Sequence, residues 1–262
     1  MLTFSMFSVL QNIQNIKFNS TPYPYLVIDD ALPTDYYEQL EKEFPDFNKI
    51  IENDRALNEY KENTAYRYNA ALSLNDDDIS SNWKKFISYH TSHEFFDEFY
   101  HHFKDPIKKI FNAERDKLPS KDKIGTRFLG KNYFNTDCQF VINTPTSGQT
   151  SVIEPHLDNP MEFYAALLYM KDPNDSSTGG NLTTYKFKDK PSFYGKSRVR
   201  EENVNLIEEI EYKPNRLVMF LNSPFSIHGV TKREKTSFYR KYMNIIGEFN
   251  FELFNYRQFL EK

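Results

Sequence analysis

The chain reads as a mainly β protein with helices towards its N-terminal end, forming one domain over residues 1–262. Three observations predict this. From residue 137 onward, runs rich in β-branched and aromatic residues follow one another at short spacing: DCQFVINTP, EFYAALLYM, NLTTYKFK, VNLIEEIEY, RLVMFLN and RKYMNIIGEF. Before that point apolar residues recur three and four apart, the spacing of a helix face. No linker-like stretch separates the halves, and 262 residues suffice for one sizeable core.

The elements follow in order. PYLVIDD (24–30) is an isolated early strand. Thr34 is placed to cap a helix carrying Tyr36, Leu40 and Phe44 on one face, ended by Pro45. Segment 81–89 puts Trp83, Phe86 and Ile87 together. Ser92 caps a further helix whose stripe is Phe95, Phe96, Phe99 and Phe103, and Pro106 is expected to interrupt it. The helical part therefore occupies about 30–115 and the strand-rich part about 137–250. Residues 112–136 are charged and irregular, suiting a connection or a lid.

Composition excludes several function classes. A formal charge of −4 and a pI near 5.9 do not supply the basic face that nucleic-acid binding requires. No run approaches the ~18 apolar residues of a membrane span. The N-terminal MLTFSMFSVLQNIQNI lacks a basic start and is broken by Gln and Asn, so no signal peptide is expected and a cytoplasmic location is the default. The single cysteine, Cys138, cannot form an internal disulfide and suits a small buried apolar position.

The chemistry concentrates in EPHLDNP (154–160) and SIHGV (226–230). His156 and Asp158, two residues apart, project to one side of an extended strand. With His228 from a distant strand end they form a two-histidine, one-carboxylate set, which leaves open positions on a non-haem Fe(II) ion. A structural zinc site would instead close its sphere, usually with cysteines.

The succession HLDNP, a strand ending LLYM, then GGNL, NRLVMF, HGV and a basic residue before a final strand resembles the Fe(II)/2-oxoglutarate-dependent dioxygenases, nearest the prolyl-4-hydroxylase type. The resemblance covers about 137–249, with a looser likeness at 22–45. It implies a double-stranded β-helix (jelly-roll) core with helices packed on its major sheet. It also implies iron held by His156, Asp158 and His228, with 2-oxoglutarate and dioxygen as cosubstrates of a C–H hydroxylation.

A basic side chain is then expected on the distal carboxylate of 2-oxoglutarate. Arg240 and Lys241 open the final strand, and alternation sends them to opposite faces. Arg240 is favoured for its bidentate fork, whereas Lys241 precedes Tyr242 as the basic residue does in prolyl hydroxylases. Tyr169 is expected either on that same distal carboxylate of 2-oxoglutarate, where prolyl hydroxylases often place a tyrosine, or in the core. Asn143 and Gln139 share one strand parity and would face the cosubstrate or the substrate, or else form a polar strand edge. Gly179 and Gly180 read as a turn. The helical histidine pairs His90/His93 and His101/His102 lack a third ligand and are read as surface residues.

The loop 188–203 is basic and aromatic, and is expected either to border the substrate entrance or to be a solvated insertion. Its charge suggests an acidic metabolite, a sugar or a peptidyl substrate. Two other readings stand beside the hydroxylase: a jelly-roll binding protein, and a cupin-type metalloenzyme that does not use 2-oxoglutarate.

Overall fold

A computed structural model describes residues 7–12, 16–54, 60–149, 153–195 and 197–260; the start of the N-terminal segment read above lies outside them. The first half contains β1 (Ile16–Asn19), β2 (Tyr25–Ile28), α1 (Thr34–Lys42), α2 (Phe47–Asn53), β3 (Ala65–Tyr68), α3 (Ala70–Leu74), α4 (Ser81–His90) and α5 (His93–Phe111). The second contains β4 (Ile124–Thr126), β5 (Phe134–Asn143), β6 (Glu162–Tyr169), β7 (Leu182–Phe187), β8 (Val204–Ile210), β9 (Leu217–Leu221), β10 (His228–Val230) and β11 (Arg240–Phe249).

Strands of the second half are dealt between two sheets. The large sheet runs β1-β2-β9-β6-β11-β5-β3, with β4 added parallel to β5. The small sheet runs β10-β7-β8, and the segment 153–156 extends it through bonds to β10. β5, β6, β9 and β11 thus alternate with segments that return in the facing sheet, which is the double-stranded β-helix.

Period 2 sorts the side chains of the large sheet. Phe134, Cys138, Phe140 and Ile142 of β5 and Met243 and Ile245 of β11 face the helices, joining Trp83, Phe86, Phe95, Phe99 and Phe103 in the largest core. Val141 and Tyr242, one residue out of phase, face the small sheet. Phe140 shows how the aromatic content is spent, with edge contacts to Trp83 at 4.7 Å and Phe44 at 5.3 Å between ring centroids.

Three expectations change. Pro106 does not interrupt α5, which runs on to Phe111. Proline's fixed φ is itself helical, so only one backbone bond is given up while Phe103 and Ile107 on either side stay buried. The stretch 112–136 is not wholly irregular: it holds two short 3₁₀ turns and β4. Pro33, not Thr34, occupies the cap position of α1, and Thr34 is its first residue. Ser92 caps α5 by accepting from Phe95 N at 3.3 Å, as its spacing predicts.

His90 is a core residue rather than a surface one. Its Nε2 accepts from Val9 N at 3.2 Å, its Nδ1 faces Phe86 O at 2.8 Å, and burial pushes its pKa down to about 3. The unfolded chain takes up this proton near pH 6.5 and the folded chain does not, so stability falls as pH drops from there towards 3. In His90→Gln, which keeps an acceptor but cannot titrate, the slope of unfolding free energy between pH 6.5 and 4 should flatten by about 1.4 kcal/mol per pH unit. Urea unfolding across that range measures it; an unchanged slope would refute the assignment.

Candidate metal centre

The chain joins its two sheet ends at the proposed ligands. His156 N donates to His228 O at 2.9 Å, and His228 N donates to His156 O at 3.1 Å. Residues that exchange both bonds lie directly opposite each other, and the two imidazoles accordingly stand 4.4 Å apart between centroids. Asp158 follows His156 on the same side. One nitrogen of each histidine and one oxygen of Asp158 all lie within 4.8 Å of one another.

Each imidazole is oriented by its own backbone. His156 Nδ1 lies 2.8 Å from Glu154 O, and His228 Nδ1 lies 2.9 Å from Ser226 O. A carbonyl acceptor there calls for the proton on Nδ1 and leaves the Nε2 lone pair free, the arrangement metal-binding histidines use. Both Nε2 atoms point at Asp158, at 3.6 Å for His156 and 3.5 Å for His228. These gaps exceed a hydrogen bond. Burial raises the Asp158 pKa, but the two histidines outweigh it and hold the group below the usual carboxylate range. For His228 burial acts downward and Asp158 reverses it, leaving a net upward shift. The donor set fits a divalent metal ion that takes nitrogen and oxygen ligands.

The loop 188–203 is largely exposed, with only Phe193 and Val199 buried among its described residues, and none of those residues lines the cavity. The loop lies along the ligand segment on the side away from β10. Leu157 N donates to Ser197 O at 2.9 Å and Val199 N to Pro155 O at 2.8 Å. Phe193 and Val199 bury against Leu157, Phe187, Ile227 and Tyr256. Its arginines are used locally, with Arg198 3.6 Å from Glu154 and Arg200 over the Tyr194 ring. Segment 154–157 is therefore clamped between β10 and this loop.

The triad opens onto a cavity of about 390 Å³ between the sheets. Arg240, Asn143 and Gln139 line it, as their parity predicts. Arg240 is 2% exposed, and its guanidinium lies 4.8–5.2 Å from the ring centroids of Tyr169, Tyr212 and Tyr242. Nε donates to Gly180 O at 2.8 Å and Nη1 reaches Asn143 Oδ1 at 3.4 Å, while Nη2 has no partner. No carboxylate among the described residues pairs with it. Gly180 is more than a turn residue, because a Cβ there would stand 3.1 Å from Arg240 Cδ.

Lys241 does not reach the cavity. It faces the helical layer, where its Nζ lies 2.7 Å from Glu41 and over the Phe44 ring. Tyr169 is fully buried beside Arg240, and its hydroxyl has no hydrogen-bond partner. Of the residues sequence parity left out, Glu162, Arg67 and Arg127 also line the cavity.

No protein-family model and no curated protein matches this chain. Among solved structures it is similar to prolyl 4-hydroxylases from Phytophthora capsici, at 14% identity over 86% of this chain and 59% of that one, with a TM-score of 0.48. It is also similar to a prolyl-4-hydroxylase from Pseudomonas putida, at 14% identity over 94% and 98% with a TM-score of 0.40. IDO from Bacillus thuringiensis matches at 12% identity over 96% and 99%, with a TM-score of 0.47.

If the loop braces the ligand segment, Phe193→Ala should weaken Co(II) binding about tenfold while all three ligands remain. His156→Ala should abolish the binding. Titration followed by the Co(II) visible spectrum distinguishes the two, and an unchanged affinity in Phe193→Ala would make the loop a bystander.

Proposed function

We propose that this chain is a non-haem Fe(II)- and 2-oxoglutarate-dependent dioxygenase that hydroxylates a C–H bond of its substrate. The observation that carries the reading is the buried, uncompensated Arg240 in the same cavity as the two-histidine, one-carboxylate set. A buried charge without a partner is costly, and an anionic ligand removes that cost.

His156, Asp158 and His228 would hold Fe(II) through Nε2, one carboxylate oxygen and Nε2, leaving positions for cosubstrate and dioxygen. Bound iron, 2-oxoglutarate and dioxygen together supply decarboxylation to succinate coupled to hydroxylation. The remaining roles belong to the protein. Arg240 Nη2 and Asn143 Nδ2 are donors without partners, and they stand ready for a carboxylate. The Tyr169 hydroxyl is a third; its pKa is pushed up to about 12, mainly by burial, so it stays a donor at neutral pH. Three unused donors around one guanidinium suit the distal carboxylate of 2-oxoglutarate. The three tyrosine rings exclude water from that end, which strengthens the ion pair.

A metal-binding jelly roll without 2-oxoglutarate would have no use for this pocket of donors. Arg240→Met should therefore weaken 2-oxoglutarate binding by about 3–5 kcal/mol, as when one partner of a buried pair is lost. Lys241→Met should leave the binding unchanged, because its partner is Glu41. Anaerobic calorimetry on the Mn(II)-loaded protein reads both; equal affinities in Arg240→Met and the parent would overturn the assignment.

A further inference from the structure

The cavity has a second chemical face that 2-oxoglutarate does not use. β6 carries a register shift against β11: Tyr164 pairs with Gly247, but Glu162 pairs with Glu248. Phe163 is the extra residue, and both it and Tyr164 pack on the helical side. A bulge of this kind re-aims the residue beyond it. Glu162, an even position, thereby joins Ala165 and Leu167 on the cavity wall with Asp158.

The hydrogen-bonding character of this region is the reverse of that around Arg240. The Glu162 carboxylate makes no hydrogen bond or ion pair among the described residues. Gln139, 5% exposed, directs Nε2 to Asp137 at 2.6 Å and leaves Oε1 without a partner. Arg127 does not neutralise Glu162 by contact, because its Nε is held by Glu248 at 3.0 Å and its Nη1 lies 4.0 Å from Asp137. Beside Arg67, which also lines this region, the unused groups of Glu162 and Gln139 are acceptors; burial, Asp158 and Glu248 disfavour the charge on Glu162, and Arg127 and Arg67 offset this only in part. A cation placed there relieves this.

We propose that the open region of the cavity binds a substrate carrying an ammonium group, with Glu162 as its ionic partner and Gln139 Oε1 accepting one of its N–H bonds. The proposal rests on the dioxygenase reading only in naming this ligand as the substrate. A second hollow of about 480 Å³ shares Gln139 and Arg67 with the cavity and is walled by Phe128 and Leu129. These two side chains are 68% and 49% exposed and offer an apolar rest for the body of such a molecule. The substrate is accordingly basic or zwitterionic rather than the acidic metabolite that the composition of the 188–203 loop suggests.

The test is anaerobic calorimetry with Fe(II) and 2-oxoglutarate bound, repeated on metal-free protein. The probes are free L-amino acids and putrescine, their N-acetylated counterparts, glucose 6-phosphate, and an end-blocked prolyl peptide. At least one ammonium-bearing probe should bind more tightly than its acetylated counterpart. E162Q should lower that affinity about tenfold or more while 2-oxoglutarate binding stays intact. Q139L should weaken it to a smaller degree. The inference is overturned if no ammonium-bearing probe outbinds its neutral counterpart, if E162Q binds the preferred amine as well as the parent does, or if only glucose 6-phosphate or the blocked peptide binds. Loss of 2-oxoglutarate binding in the parent, with the Glu162-dependent amine binding retained, would count against the dioxygenase reading alone and support the amine site.

Discussion

The pair of backbone hydrogen bonds between His156 and His228 is the constraint on which the site depends. These bonds join the segment after β5 to the short strand β10, and in doing so set two imidazoles from positions 72 residues apart side by side. Asp158 reaches the same point because two residues of extended chain return a side chain to the same face. The loop 188–203 closes the other edge of that segment, so His156 is held from both sides. The cost of holding two imidazoles against a carboxylate is met by sheet hydrogen bonds and by the buried cluster around Phe193.

From this point the cavity is chemically divided. Around Arg240 the unused groups are donors, enclosed by three aromatic rings and by the close backbone of Gly180. Around Glu162 and Gln139 they include acceptors, with Arg67 also in the lining. A single alternation pattern on β5 and β11 supplies members of both groups, since Gln139 and Asn143 share one face and Arg240 follows from the same register. On the functions proposed above, the division would let one space take two ligands of opposite charge without exchange between their places.

Much of this was legible in the sequence, for reasons that can be named. The ligand set showed itself because a strand pair two residues apart is a local signal. Alternation alone required that Arg240 and Lys241 part, and the side facing the helices is the one where Glu41 waits for the lysine. The strands β5, β6, β7, β8, β9 and β11 announced themselves by composition, whereas β1, β3, β4 and β10 are three or four residues long and pair only in the tertiary structure. Glu162 was hidden because the bulge at Phe163 breaks the alternation that would otherwise place it on the helical side of β6. The loop 188–203 was legible in part: its charged residues are largely exposed, but its Phe193 and Val199 bury and its backbone bonds to the ligand segment, which its charges gave no sign of. Pro106 misled because a proline deep in a helix costs one bond, and the aromatic stripe of α5 outweighs that loss.

The proposed chemistry requires one cavity to bind iron through the two histidines and the aspartate, with 2-oxoglutarate beside it. Anaerobic addition of Fe(II) and then 2-oxoglutarate to the metal-free protein, followed by visible absorption, tests it most directly. A weak charge-transfer band that requires both additions, and is absent from Asp158→Ala, is the predicted result. Iron binding with no band on addition of 2-oxoglutarate would contradict the account and leave a metal site of another kind.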